Sequence, residues 1–280
     1  MAIRIVIDST SDVTQEIIDK YNLVMVPLTV NFEHESFQDK VELSTEAFFE
    51  KLSSSEKLPT TSQVSPGAFV RAFSDILLNG DEVLGIFLAS EFSGTYESAR
   101  IAKDMIGGDR IHIIDSRSVC LGTFSLILEA IELVNQNKNI NEIVESLENA
   151  KDKIVAVAAL DTLKYLEKGG RLSKGQAVVG SLLNIKPIIG ISEGKLSVID
   201  KIRGKNKTIK WFDEWIEKNK FDLSDKTVLL FHARNTEQLK ILRETIEHKY
   251  NIKNIIEAEV GAVIGTHAGP GVLAVGFLNK

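Results

Sequence analysis

Ile3-Arg4-Ile5-Val6-Ile7-Asp8-Ser9-Thr10-Ser11-Asp12 joins a short apolar run, rich in β-branched residues, to a polar turn. A run of this length, bounded by turn residues, reads as a buried strand. Working outward, Thr14 can cap a helix through Tyr21, and Leu23–Val30 reads as a second strand. Ser44 caps Thr45–Leu52, whose Ala47, Phe48 and Leu52 share one face. Ser65-Pro66 places a cap before a proline at the first helical position; the helix runs through Leu78 and stops at Asn79-Gly80. Val83–Leu88 is the next strand, Ser93-Gly94 leads into a helix ending at Gly107-Gly108, and Ile111–Ile114 is another strand. Strands alternating with helices predict parallel βαβ units with right-handed crossovers.

The second half has a different pattern. Ile154–Leu160 is an apolar strand, and Thr162–Lys168 a short helix stopped by Gly169-Gly170. Pro187–Ile191 and Leu196–Ile202 flank Ser192-Glu193-Gly194-Lys195, the pattern of a hairpin. A helix holding Trp211 and Trp215 follows, then strand Val228–Phe231, helix Thr236–Tyr250, and strands near Ile252–Glu257 and Val272–Phe277. The expectation is an α/β chain of two domains. An N-terminal α/β/α domain with a parallel sheet covers residues 1–152, and a C-terminal α+β domain with a mixed or antiparallel sheet covers 153–280. The division falls near Lys151-Asp152-Lys153.

Composition narrows the class. With 280 residues, 44% hydrophobic and 26% charged, the chain can bury full cores. A net charge of −6 argues against nucleic acid as the main partner. Cys120 is the single cysteine, so no internal disulfide forms; it sits among apolar residues and suits a reducing cytoplasm. No signal peptide is visible, and no apolar stretch approaches the ~20 residues that span a bilayer. The expectation is a cytoplasmic protein.

Three polar clusters stand out: Thr60-Thr61-Ser62-Gln63, Ser93-Gly94-Thr95, and Gly265-Thr266-His267-Ala268-Gly269-Pro270-Gly271. Each is read as a turn beside a helix or strand signal. They offer hydroxyls, backbone N–H groups and one imidazole, but no pair of carboxylates. Such a set suits holding an anion more than breaking a bond. Each also has a plainer reading: Ser93 as a helix cap, Thr60–Gln63 as a polar loop, His267 as a structural histidine. The small residues around His267 leave room for a ligand. Arg171, after Gly169-Gly170, is either a solvated charge or functional. Lys195, Lys201, Arg203, Lys205, Lys207 and Lys210 form a basic stretch, either a solvated face or a docking site for an anionic ligand or partner. An aspartate ending a first strand is also the pattern of haloacid dehalogenase-like phosphotransferases. That chemistry needs a second acid two residues on, where Thr10 stands, so Asp8–Asp12 reads as a structural turn, with Ser9 available to the mouth of a pocket. A P-loop, a His-Glu-x-x-His, a zinc-spaced Cys pair, a Gly-x-Ser-x-Gly elbow and a Gly-x-Gly-x-x-Gly are all missing, so no metal or cofactor is expected.

The order of motifs adds a resemblance. Asp8-Ser9-Thr10-Ser11-Asp12, Val26-Pro27-Leu28, Pro59–Pro66, Ser93-Gly94-Thr95-Tyr96, Asp115-Ser116, Tyr165–Arg171, Leu183-Asn184-Ile185-Lys186-Pro187 and the C-terminal Gly-Thr-His segment follow one another along nearly the whole chain. Together they resemble the DegV family, the fatty-acid-binding proteins that serve bacterial fatty acid kinase. The resemblance implies a non-catalytic, lipid-binding subunit of phospholipid metabolism. Its carboxylate site would match Thr61, Ser93, Thr266 and His267, with Arg171 and Arg203 available to a partner or phosphate. It implies a long-chain fatty acid as ligand and a fatty acid kinase catalytic subunit as partner, and leaves room for transient membrane contact. The rival reading is a lipid hydrolase or acyltransferase with Ser93 as nucleophile and His267 as base, for which no orienting acid can be assigned.

Overall fold

The computed structural model describes residues 1–172, 185–192, 194–204 and 207–280. Leu183 and Asn184 of the Leu183–Pro187 motif, Glu193 of the predicted hairpin turn and Lys205 of the basic stretch lie outside the described residues. The chain is α/β. In the first half, β1 (Ile3–Asp8), β2 (Val24–Val26), β6 (Glu82–Phe87) and β7 (Ile111–Asp115) form one sheet in the order β2-β1-β6-β7, with every pairing parallel. Three short strands, β3 (Thr29–Asn31), β4 (Ser36–Gln38) and β5 (Thr60–Ser62), form a separate antiparallel sheet in the order β4-β3-β5. In the second half, β8 (Ile154–Ala159), β9 (Ile185–Ser192), β10 (Lys195–Arg203), β11 (Thr227–His232), β12 (Asn254–Glu259) and β13 (Leu273–Leu278) form a mixed sheet ordered β10-β9-β8-β13-β11-β12. Only β11–β12 pair in parallel there.

Of the caps read from sequence, Ser44 and Ser65 make their hydrogen bonds, whereas Thr14 precedes α1 (Gln15–Tyr21) without a side-chain bond to it. Ala47 N–H donates to Ser44 Oγ (3.2 Å) at the start of α2 (Thr45–Ser54), which follows α1. Ala68 N–H donates to Ser65 Oγ (3.3 Å) at α3 (Pro66–Leu78). α4 (Thr95–Ile106) begins after Gly94. α5 (Leu121–Asn135) and α6 (Ile140–Ala150) complete the first half. α5 packs on β1 and β6 on one side and on β8, β11 and β13 on the other, so it lies between the two large sheets. It approaches β13 so closely that a Cβ on Gly276 would fall 1.8 Å from Leu121 Cδ1. The second-half helices are α7 (Lys164–Lys168), α8 (Lys207–Lys218), α9 (Thr236–Lys249) and α10 (Ala262–Ala268).

Three expectations need correction. Leu23–Val30 is not one strand: Pro27-Leu28 breaks it, and β2 and β3 enter different sheets. Proline has no N–H to give a ladder, and Leu28 N–H donates instead to Ser9 Oγ (3.2 Å). Thr60–Ser62 is a strand, because Thr61 pairs with Val30. Gly265–Ala268 is the last part of a helix rather than a turn.

Candidate functional site

The polar groups of four separate segments meet. β5 presents Thr61 to the end of α10, where Thr61 Oγ1 and His267 Nε2 are 2.9 Å apart. The other imidazole nitrogen, Nδ1, is buried and has no hydrogen-bond partner. It lies against Gly169, where a Cβ would come within 2.3 Å of it. Arg171 folds back over this point: Nη1 donates to Gly169 O (2.6 Å) and Nε to Phe92 O (3.2 Å). The next residues are Ser93 and Gly94, and a Cβ on Gly94 would meet Gln63 Oε1 at 2.1 Å. Gln63 stands two residues beyond Thr61. The contacts therefore close a ring: Thr61, His267, Gly169, Arg171, Phe92–Gly94 and Gln63.

Ser93 lines the rim and also steadies the start of α4, whose N-cap is Gly94. Thr95 N–H donates to its Oγ (3.2 Å), and Thr95 Oγ1 lies 3.0 Å from the same oxygen. Val64 N–H donates to Thr95 Oγ1 (3.4 Å). Thr95 can thus give its own proton to Ser93, which leaves the Ser93 proton free for a ligand.

The ring opens on a cavity of ≈410 Å³. Thr61, Gln63, Ser93, Arg171 and His267 line one part of it; Leu121, Ala156–Ala158, Ile189, Ile191, Leu196, Val263 and Ala274 line much of the rest. Among the described lining residues Arg171 is the one permanently charged side chain, and none is a carboxylate. Burial, reinforced by the Arg171 charge, lowers the His267 pKa to about 4, so at neutral pH the imidazole is uncharged.

The other anticipated residues are placed differently. Thr266 is buried, its Oγ1 donates to Ala262 O (2.9 Å), and it does not line the cavity. Arg203 is exposed at the end of β10, also away from the lining. Ser9 is buried and spends its hydroxyl on Leu28 N–H, whereas its neighbour Thr10 reaches the cavity wall. Cys120 reaches the wall too; burial, with Asp12 nearby, raises its thiol pKa well above the usual range. The small residues around His267 make room for the protein's own side chains. A Cβ on Gly265 would meet Phe48, one on Gly269 would meet Tyr165, and one on Gly271 would meet Asp161. Gln63, named in sequence only as part of the Thr60–Gln63 cluster, is packed against Gly94 and donates to Ser98 Oγ (2.9 Å). Sequence reading missed the tail-lining strands, whose apolar residues look like any other core.

The sequence matches the model of the DegV family, described as uncharacterised protein, over residues 2–280. It is 39% identical to a DegV domain-containing protein of Caldanaerobacter subterraneus over 99% of each chain. The fold is similar to that of a Thermus thermophilus DegV family protein whose structure concerns fatty acid binding, with a TM-score of 0.92, 28% identity and full coverage of both chains. It is also similar to Bacillus subtilis DegV, described as a fatty acid binding protein, with a TM-score of 0.89, 33% identity and full coverage of both.

Proposed function

This chain belongs to the DegV family, and on that premise we propose that it carries one long-chain fatty acid, with the carboxylate at the Thr61–Ser93–His267 rim. One observation carries the reading: a cavity with an apolar wall ends in a ring of neutral donors and a single fixed cation, with no competing carboxylate in the described lining. A buried carboxylate is tolerated only when it is fully hydrogen-bonded. Thr61 has one proton to give. When the Nε2–H of His267 donates to Thr61 Oγ1, that proton is free for the ligand, and Nδ1 is left as a bare acceptor against Gly169, where no donor is needed. A long tail supplies the binding energy: about 14 methylenes at ~0.8 kcal/mol each give ~11 kcal/mol before ordering costs.

The same reading makes the chain the substrate-presenting subunit for a separate fatty acid kinase catalytic subunit, which would phosphorylate the exposed carboxylate to an acyl phosphate for phospholipid metabolism. Residues 1–152 and 153–280 are then two domains that share the ligand, in a cytoplasmic carrier making transient membrane contact when it loads. Arg171 would steady the added negative charge, and Arg203 would serve partner docking. Thr266 would act only through the helix that carries His267. A hydrolytic role is less well supported. His267 Nε2 is bonded to Thr61 rather than to Ser93, and Gly169 fills the place beside Nδ1 where an orienting acid would stand.

The test combines mass spectrometry of small molecules extracted from purified protein with palmitic acid titration of the delipidated chain. A co-purifying fatty acid is expected. Thr61→Val should weaken palmitic acid binding about 10- to 100-fold, the cost of one hydrogen bond to a charged group, and should lower Tm as well, because the buried Nε2–H of His267 loses its acceptor. Ser93→Ala should lower both affinity and Tm, because Ser93 Oγ also accepts from Thr95 N–H at the start of α4. Absence of lipid together with no titratable binding would sink the carrier reading.

A further inference from the structure

The Asp8–Asp12 turn, which the ligand site itself leaves unused, grips the segments that surround it. Asp8 Oδ2 accepts from Leu88 N–H (2.8 Å), just ahead of the segment that ends at Ser93. Cys120 N–H, at the start of α5, donates to Thr10 O (3.1 Å). Asp12 Oδ1 accepts from Gly261 N–H (3.0 Å) and pairs with Lys40 Nζ (2.9 Å), while Cys120 Sγ donates to Asp12 Oδ2 (3.3 Å). Beside it, Asp39 Oδ1 accepts from Ala262 N–H (3.2 Å), and its Oδ2 is buried with no partner. Two carboxylates from the first half thus seize the first two N–H groups of the segment that becomes α10. Gly261 permits the approach: a Cβ there would lie 2.5 Å from Asp12 Oδ1 and 3.0 Å from Lys40 Cε. About one turn later, Gly265 is pressed on Phe48 and Phe49, and His267 follows.

We propose that Asp12, Asp39 and Lys40 form a latch of positioning residues that fixes α10 so that His267 meets Thr61, and thereby sets the chain's preference for a carboxylate head group. The proposal rests on the fatty-acid reading of the cavity. His267 lies five positions after Ala262, about 7.5 Å along the axis of a seven-residue helix, so a shift at the N-terminus is transmitted to it as rigid-body movement. A hydrogen bond of 2.9 Å is lost when the groups move apart by less than ~1 Å. The tail wall, drawn from β8, β9, β13 and α5 as well, depends on α10 much less. The groups facing Asp39 are Asp12, Lys40, the Ser9 hydroxyl and Ala262 N–H, and Asp8 and Cys120 stand behind Asp12. Burial and the Asp12 charge raise the Asp39 pKa to about 6, as the unpartnered Oδ2 suggests.

The test compares palmitic acid with hexadecanol, which shares its tail, on the delipidated full-length chain. Asp39→Ala removes the acceptor for Ala262 N–H. It should weaken palmitic acid about 10-fold or more and hexadecanol less than about 3-fold. Asp39→Asn restores an oxygen acceptor and should recover most of the loss. The side-chain ¹⁵N signals of His267, read without ligand, should shift in the alanine variant and return in the asparagine variant. If Asp39→Ala does not fold, Lys40→Met, which removes the partner of Asp12, carries the same two readouts. Equal losses for both ligands, no loss for either, or unmoved His267 signals would overturn the latch. Wild-type protein that binds no palmitic acid would instead refute the fatty-acid reading, while the ligand-free signals would still decide the latch.

Discussion

The polar rim of the cavity is drawn from the short strand β5, the end of α10 and connecting segments, whereas much of its apolar wall is drawn from the faces of β8, β9 and β13 with α5 and α10. Each rim side chain is already held: Thr61 by His267, Ser93 by Thr95, Arg171 by two carbonyls. The wall residues are held only by packing. A rim of that kind recognises one head group in one orientation, because its donors are aimed before the ligand arrives and little ordering is left to do. A wall of that kind recognises volume alone, and dispersion contacts are tolerant of shape. If the cavity holds the proposed fatty acid, the difference teaches that selectivity for chemistry and selectivity for length would reside in separate parts of it.

The strongest way to break that division is to fill the wall. Ala158→Phe adds a ring to the ≈410 Å³ cavity. It takes the room of about four methylenes, or ~3 kcal/mol, so palmitic acid affinity should fall about 100-fold by calorimetry. A shorter acid such as octanoic acid should lose far less. Equal losses for both acids would show that the wall does not measure length.

A second probe separates the rim from the latch by pH. The His267 pKa is depressed to about 4 in the folded state, so its contribution to stability is present above its unfolded value of 6.5 and is lost as pH falls towards 4. The Asp39 pKa is raised to about 6, so its contribution is present below 3.8 and is lost as pH rises through about 6. The two oppose each other over the same window. In thermal melts between pH 4 and 7, His267→Gln should lose less stability on acidification than wild type, by on the order of 2–3 kcal/mol. Asp39→Asn should lose more. Parallel curves for all three proteins would remove both assignments.

The smallest effect is expected outside the cavity. Arg203→Ala should leave palmitic acid affinity within about two-fold, since an exposed charge away from the ligand contributes little. It should slow phosphorylation by a fatty acid kinase catalytic subunit in a salt-dependent way. Unchanged phosphorylation at every salt concentration would return Lys195–Lys210 to the role of a solvated face.

Much of the fold was legible because short-range rules fix it. β1, β6, β7 and β8 are apolar, β-branched runs, and Ser44 and Ser65 cap their helices through contacts three residues away. α5 and α6 went unassigned. In α5 the residues Leu121–Ile127 are buried on every side, so no polar face marks a helical period. Thr60–Ser62 carries no strand pattern; it is a strand because β3 offers an unpaired edge. Thr61, Ser93 and His267, singled out from their motifs, line the cavity, while Thr266 shares the same motif and turns its hydroxyl into its own helix.

By itself the sequence determined the alternation of strands and helices, their caps, and an ordered set of motifs, all of which depend on neighbours a few residues apart. Tertiary structure alone decided that residues 61, 93, 171 and 267 share one rim, that the glycines near His267 admit Phe48, Tyr165 and Asp161, and that Asp12 and Asp39 hold the helix bearing His267. Those pairings join residues up to 249 apart along the chain. No local propensity reports on such distances; only packing two sheets against a shared helix brings those residues into contact.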